Sequence, residues 1–450
     1  MLMEEKEFNE LLELLKNRQF KKLKELLDEM NEVDAAEFLG ELEPKDAVKV
    51  FRILNKEVAA DVFALLDPDL QEKAIASMTD DELSDIIDEL FVDEIVDIVE
   101  EMPASMVKRI LENVDKDRRK KVNQFLNYPE DSAGSIMTAE IIHLKKDMTV
   151  KDALSTIRKA KIDNETVYTC YVTDSRRMLI GTVSVKDLLR SRDDESIEEL
   201  MDTDIISVNT LSDQEEVGQT FAKYGLITVP VTDKEGRLVG AVTVDDAVEV
   251  ITDEATEDFE KMAAMIPSEK PYLKTSPFEL AKNRIAWLML LMVSGTLSGM
   301  ILAKFESAFA AVPLLVTFIP MLNDTGGNAG SQTSTMIIRG MALDEIEPKN
   351  FLQIWFKEVS TALITGTLLA IANFIRVMIM YPGQGLIALV VSVSMLFVVI
   401  IAQTVAVILP IIAKKLGGDP ALMAAPFITT IVDCLALTIY FILAKMLLGI

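Results

Sequence analysis

Four sets of residues have types and spacings that could do chemistry. Asp433 stands in the middle of the apolar run Phe427-Ile-Thr-Thr-Ile-Val-Asp433-Cys-Leu-Ala-Leu. An ionisable group at bilayer depth is costly unless it faces a partner or water. No Lys, Arg or His lies in the middle of another apolar run to pair with it, so a cation path is a better reading than a salt bridge. The second set is Asn323-Asp324-Thr325-Gly326-Gly327-Asn328-Ala329-Gly330-Ser331-Gln332-Thr333-Ser334-Thr335. Its glycines permit close helix approach or unwound backbone, and its amides and hydroxyls offer oxygens to water or ions. Tight helix packing alone is the plainer alternative. The third set is an acidic helix over 245–262. At 3.6 residues per turn, Asp246, Glu249, Asp253 and Glu257 line one face, with Glu254 and Asp258 adjacent. Like charges at that spacing repel. A solvated face would explain them, and so would hard divalent cations with oxygen ligands, since almost no Lys or Arg is interleaved before Lys261. The fourth is Asp419 in Gly417-Gly418-Asp419-Pro420-Ala421, at a helix start. An N-cap is its plain reading, and that can hold alongside a place at a pore mouth.

The elements that must position these residues differ sharply along the 450 residues. The net charge is −27, but residues 1–130 carry −16, residues 131–270 carry −13 and residues 271–450 carry +2. No basic face suggests a nucleic-acid partner. Two cysteines make no disulfide framework, and a single histidine, His143, excludes His-rich metal sites and most Ser-His or Cys-His catalysis. The start, MLMEEKEFNE, lacks the basic residues and apolar run of a signal peptide, so the acidic part is expected in the cytosol.

The apolar part predicts five transmembrane spans, at about 284–304, 309–338, 355–380, 386–413 and 421–447. With the N-terminus inside, the inner flanks hold Lys274, Lys282, Arg284, Arg339, Lys349, Lys357, Lys414 and Lys415, and the outer flanks hold only Lys304, Arg376 and Lys445. Five spans then put the C-terminus outside.

The first 130 residues repeat. Met30, Leu42, Leu54, Leu66, Met78, Leu90, Met102, Val114 and Leu126 recur every twelve positions. Helix-starting residues follow: Pro44, Asn55, Asp67-Pro68, Thr79-Asp80, Pro103 and Asp115. Short helices of this kind must stack into a superhelical array, as a scaffold or interaction domain. Next comes a duplication. Ser135-Ile136-Met137-Thr138, Tyr171-Val172-Thr173-Asp174 and Gly181-Thr182-Val183-Ser184-Val185-Lys186-Asp187 match Leu200-Met201-Asp202-Thr203, Pro230-Val231-Thr232-Asp233 and Gly240-Ala241-Val242-Thr243-Val244-Asp245-Asp246. Each half reads strand, helix, strand, turn, strand, helix, with hairpin turns at Asp174–Arg177 and Asp233–Gly236. The pair resembles tandem CBS domains. That resemblance implies a regulatory module and an adenine-nucleotide site, with ATP as the candidate ligand and Ser184, Asp187, Thr243 and Asp246 touching its ribose.

The whole order resembles the MgtE family of magnesium channels. The resemblance implies a multidomain chain: an acidic α-helical superhelical N-domain (1–131), α/β CBS domains (132–199 and 200–250), a plug or connecting helix (251–275) and an α-helical polytopic membrane domain (276–450). It implies a homodimer in the plasma membrane with a pore between the subunits. Asp433 would hold hydrated Mg2+, with Gly327, Asn328 and Ser331 lining the pore; many relatives have Asn where Ser331 stands. Glu254, Glu257 and Asp258 match a regulatory metal motif, with Asp246 and Glu249 upstream. Glu215, Glu358 and Asp419 match further family acids, and Asp93 matches the one facing Asp246. Another family acid falls at Gly225 here, which weakens or removes that ion. The implied function is Mg2+ uptake gated by intracellular Mg2+; a CBS-regulated transporter of another divalent cation, such as Co2+, is the alternative. An anion or osmolyte transporter would need a pocket of basic or aromatic residues within the spans. A membrane enzyme would need a nucleophile-base pair. Neither is present, and no G-x-x-x-x-G-K loop suggests nucleotide hydrolysis.

Overall fold

The computed structural model describes residues 5–160, 165–268, 272–273, 275–343, 345–423 and 425–449; Lys274 of the orientation count lies outside them. The chain divides into two compact units, Met1–Ile251 and Thr252–Ile450.

The first unit opens with α1 (Glu5–Lys16) and α2 (Phe20–Glu29). Then α3 (Glu32–Gly40), α4 (Pro44–Phe51), α5 (Lys56–Ala64), α6 (Pro68–Ser77), α7 (Asp80–Ile87), α8 (Val92–Glu101), α9 (Ala104–Asn113) and α10 (Lys116–Phe125) start twelve residues apart. The starts are chemically marked. Asn31 accepts from the Val33 N–H, Thr79 and Glu82 form a capping box, and Asp115 accepts from the N–H groups of Asp117 and Arg118. Pro44 and Pro68 sit in first turns, where a missing N–H is no loss. Helices of eight to ten residues do not persist alone in water, so packing sustains them. Phe38, Phe63, Ile75, Leu83 and Ile87 are fully buried in their shared core. Later arginines also serve the orphan carbonyls of earlier helix ends: Arg109 donates to Ile75 O at 2.5 Å and Met78 O at 2.6 Å, and Arg118 to Ile87 O at 2.8 Å.

The duplicated region follows as β1 (His143–Lys145), α11 (Val150–Lys159), a 3-10 turn at Glu165–Tyr168, β2 (Thr169–Thr173), β3 (Leu179–Ser184) and α12 (Val185–Arg190). After the short α13 (Ile197–Leu200) come β4 (Val208–Asn209), α14 (Gln214–Tyr224), β5 (Thr228–Thr232), β6 (Leu238–Thr243) and α15 (Val244–Met262). The two three-stranded sheets have the same order, a parallel pair and then an antiparallel pair. Cys170 pairs with Val183, and Val229 with Val242, in equivalent register. Both hairpin turns fall where expected, with Arg177 at φ 66° and Gly236 at φ 82°. Tyr171 Oη donates to Thr228 Oγ1 at 2.9 Å and links the halves. Thr138 and Ala241 exchange backbone hydrogen bonds at 2.8 and 3.0 Å, so Gly240 has no room for a side chain: a Cβ would press on the Thr138 carbonyl oxygen and the Met137 sulfur.

The connecting helix differs from the segment expected at 251–275. It begins at Val244 as the last helix of the second half and runs unbroken to Met262. Residues 269–271 and 274 of that segment are outside the described residues.

The second unit contains α16 (Pro277–Lys304), α17 (Glu306–Ala311), a 3-10 stretch Pro313–Phe318, α18 (Ile319–Ala342), α19 (Phe351–Met380), α20 (Gly385–Lys415) and α21 (Ala425–Leu448). Among the described residues, four helical stretches are long and apolar enough to cross a membrane: Pro277–Lys304, Pro348–Met380, Gly385–Lys415 and Ala421–Leu448. The span expected at 309–338 is not one continuous helix. Pro313 and Pro320 each sit at the start of a new piece, because proline lacks the N–H that would continue the old one. α18 is 24 residues, about 36 Å, but its polar composition sets it apart from the other four. α18, α20 and α21 pack on one another, α19 on α20, and α16 on α21.

Replacing Gly240 by Ala should destabilise the first unit by about 1–3 kcal/mol, the usual range for overpacking. Thermal unfolding of the full chain checks this; an unchanged transition would contradict the close approach at Thr138.

Candidate functional site

In the second unit, glycines set α18 against its neighbours. A Cβ at Gly326 would lie 2.8 Å from both Val398 of α20 and Val432 of α21, and one at Gly330 would lie 2.7 Å from Ile428. Gly327 is buried too, against Thr429. Packing is therefore the work of the glycine face. A different face stays open: Asp324, Asn328 and Thr335 are exposed and Ser331 is half-buried. Their spacing of four, three and four puts them on one stripe. Asn328 and Ser331 thus lie on the open stripe, and Gly327 does not.

Asp433 is the ninth residue of α21, about 12 Å from its start. Its Oδ1 is buried with no hydrogen-bond partner among the described residues. The same is true of Asn323 Oδ1 on α18 and Gln403 Oε1 on α20. A buried acceptor left unpaired costs about 1–3 kcal/mol, more when charged. Each of the three mutually packed helices thus carries one unsatisfied oxygen, which is what water or a hard cation would satisfy. Near the start of α19, Glu358 accepts from Thr333 Oγ1 of α18 at 3.1 Å.

In the first unit, α8 and the start of α15 bring acids together. Thr138 Oγ1 lies 3.3 Å from Asp93 Oδ1 and 3.3 Å from Glu140 Oε2. Burial, then the charges of Glu140 and Asp246, lift Asp93 well above the usual carboxylate range. Burial, then the charges of Asp246, Glu100 and Glu249, push Asp97 up to about 7, although the residue retains exposed surface. Burial lifts Asp246 to about 6 against the Thr243 hydroxyl, which donates to it at 2.5 Å. Lys121 Nζ lies 3.9 Å from Glu140 Oε1. Among the described residues, no three acids, histidines or cysteines converge into a ready-made metal cage. An ion that keeps its waters does not need one, so these carboxylates suit a hydrated divalent cation.

The remaining acids have other partners. Lys261 Nζ lies 2.8 Å from both Glu257 Oε1 and Asp419 Oδ2, and the Ala421 N–H donates to Asp419 Oδ1 at 2.7 Å. Burial, then the charge of Asp419, raises Asp258 beside them, while Lys261 and Arg339 lower it. Glu254 lies one turn earlier on α15. Glu215, in the first turn of α14, accepts from Gln219 at 3.2 Å. Gly225, where relatives were expected to carry an acid, ends α14 at φ 62°, a conformation that disfavours other residues. In the two CBS-like halves, Ser184 Oγ meets Asp187 Oδ2 at 2.5 Å as Thr243 meets Asp246. These equivalent strand-to-helix junctions could present hydroxyl and carboxylate groups to a ribose.

Three residues were missing from the expected sites. Asp97 is one helical turn from Asp93, a spacing that could have revealed it. Gln403 is a polar residue inside the long apolar run Ile400-Ile401-Ala402-Gln403-Thr404-Val405. Lys261 was visible only as the end of an acidic stretch; nothing in the sequence places it beside Asp419.

Family models match three regions: an MgtE intracellular N domain over 30–131, CBS domains over 133–194 and 197–253, and an MgtE divalent cation transporter over 319–443. The magnesium transporter MgtE of Thermus thermophilus is 37% identical over 336 residues, 74% of each chain. That of Bacillus subtilis is 36% identical over 73% of this chain and 72% of its own. The solved soluble part of a magnesium transporter aligns with TM-score 0.52 and 32% identity, over 56% of this chain and 99% of that one. The cytosolic domain of the Mg2+ channel MgtE in complex with ATP aligns with TM-score 0.51 and 33% identity, over 53% and 98%.

The raised carboxylates predict a pH dependence with a definite sign. Their folded-state pKa values lie above the ordinary 3.8, so the stability they contribute is complete below about pH 4. It is lost as pH rises through about 6 and 7. In chelator, the unfolding temperature of the first unit should fall by a few degrees between about pH 5 and pH 8, and millimolar Mg2+ should recover it. A transition that rises with pH would contradict the cluster.

Proposed function

Because the chain belongs to the MgtE family of magnesium transporters, we propose that it passes Mg2+ through a pore built around Asp433, gated by Mg2+ at its own acidic surfaces. The observation that carries this reading is the buried, unpartnered Oδ1 of Asp433. A membrane protein gains nothing structural from such an atom. A passing cation with its water shell satisfies it transiently. Mg2+ sheds water reluctantly, so carboxylate and amide oxygens act on its outer shell. An all-oxygen acceptor set suits a hard ion. Transport is then passive, down the electrochemical gradient.

The open stripe of Asp324, Asn328, Ser331 and Thr335 supports a homodimer. A polar stripe cannot face lipid, so it faces water or a second copy of the chain. Two copies would place two Asp433 carboxylates around the ion. In this reading α16, α18, α19, α20 and α21 are five spans in the plasma membrane, with the acidic N-domain (1–131), CBS halves (132–199 and 200–250) and connecting helix (251–275) cytosolic and the C-terminus outside.

Gating follows from charge. At low cytosolic Mg2+, Asp93, Asp97, Asp246 and Glu249 repel, and α8 separates from the start of α15. At high Mg2+ an ion bridges them. Differential affinity for the two states is all that such a shift requires. α15 is one helix from Val244 to Met262, so a change at Asp246 is carried along it toward Glu254 and Asp258. ATP at Ser184, Asp187 and Thr243 would act on the same module.

Asp433→Ala should abolish Mg2+ uptake in cells that depend on this chain for magnesium, with unchanged expression and unfolding temperature. Normal uptake in that variant would remove Asp433 from the path.

A further inference from the structure

We propose that Lys261 is a built-in cation latch, whose ammonium bridges Glu257 and Asp419 and holds the end of α15 to the segment before α21 without a divalent ion. The idea rests on the gating reading above and specifies which carboxylates do not need Mg2+. Nζ is 2.8 Å from Glu257 Oε1, one turn back on the same helix, and 2.8 Å from Asp419 Oδ2. Asp419 Oδ1 already accepts from the Ala421 N–H at 2.7 Å, so both oxygens of that carboxylate are engaged. A divalent ion bridging Glu257 and Asp419 would have to occupy the space the ammonium holds. The resemblance implies a regulatory metal role for Glu257 and, separately, for Asp419; with Lys261 between them, one ion bridging the two does not fit here.

The latch has an apolar half. Met262 packs on the buried Ile338 of α18 and Ala421. Just beyond, the Ile266 N–H donates to Asn283 O of α16 at 3.0 Å, and Ser268 N–H returns to Glu260 at 2.8 Å. Lys261 is a positioning residue, since it touches no ion and acts through Asp419. A lysine carries its cation at fixed local concentration, so this junction ignores the cytosolic Mg2+ level. Mg2+ sensing then falls to Asp93, Asp97, Asp246 and Glu249, with Asp258 the acid beside the latch whose oxygens the lysine does not bond.

Amide hydrogen exchange of the full chain in detergent tests this. In EDTA, wild-type residues 252–262 should be protected. Lys261→Gln should exchange there about tenfold faster or more, and Lys261→Arg should keep the wild-type rate, with α19 and α20 unchanged in all three. A wild-type segment protected only when Mg2+ is added, a Gln variant that exchanges like wild type, or an Arg variant as fast as Gln overturns the latch. Mg2+-dependent protection of residues 92–101 reports the gating reading separately: its absence would end that reading whatever the latch does.

Discussion

Carboxylates held near one another, or out of water, with no matching cation among the described residues are the constraint on which everything else depends. Burial raises the free energy of the charged form, and like neighbours raise it further. Folded chains normally avoid this by pairing or protonation. Here it occurs at Asp433, within the helical unit, and at Asp93, Asp97 and Asp246, within the first unit. A third acidic group, Glu257 and Asp419, is compensated by Lys261. The contrast is informative. At Glu257 and Asp419 an ammonium offsets the carboxylates; under the proposed gating, the acids of the first unit are left for an ion to bridge.

The rest of the fold maintains these charges in place. Short helices capped every twelve residues build a core stiff enough to hold α8. The duplicated sheets end in equivalent hydroxyl–carboxylate pairs, and one of those carboxylates, Asp246, also belongs to the acid cluster. Glycines at 326, 327 and 330 bring α18 and α21 together and leave the polar stripe of α18 on another face. Asp246 thus belongs both to the second strand-to-helix junction and to the acid cluster.

Much of this was legible in the sequence because it is periodic. The twelve-residue repeat, both hairpin turns and the duplicated strand order depend on local chemistry of caps and turns, and they appear where the residues place them. The lone carboxylate in an apolar run was legible for the same reason: it violates its own surroundings. The second expected span differs in one respect: Pro313 and Pro320 start new pieces instead of lying within one continuous helix. Long-range pairing was not legible. Nothing local says that Lys261 reaches Asp419, that Gln403 is buried without a partner, or that Gly327 faces Thr429. Those depend on how helices far apart in sequence pack.

The most direct measurement is Mg2+ flux into proteoliposomes of the purified full chain, with the face bearing the acidic domains buffered at low and then millimolar Mg2+. The expected result is rapid flux at low Mg2+ that falls steeply when Mg2+ rises on that face. Flux that is absent under both conditions, or indifferent to Mg2+ on that face, would contradict the link between the open carboxylates and the ion they are held to sense.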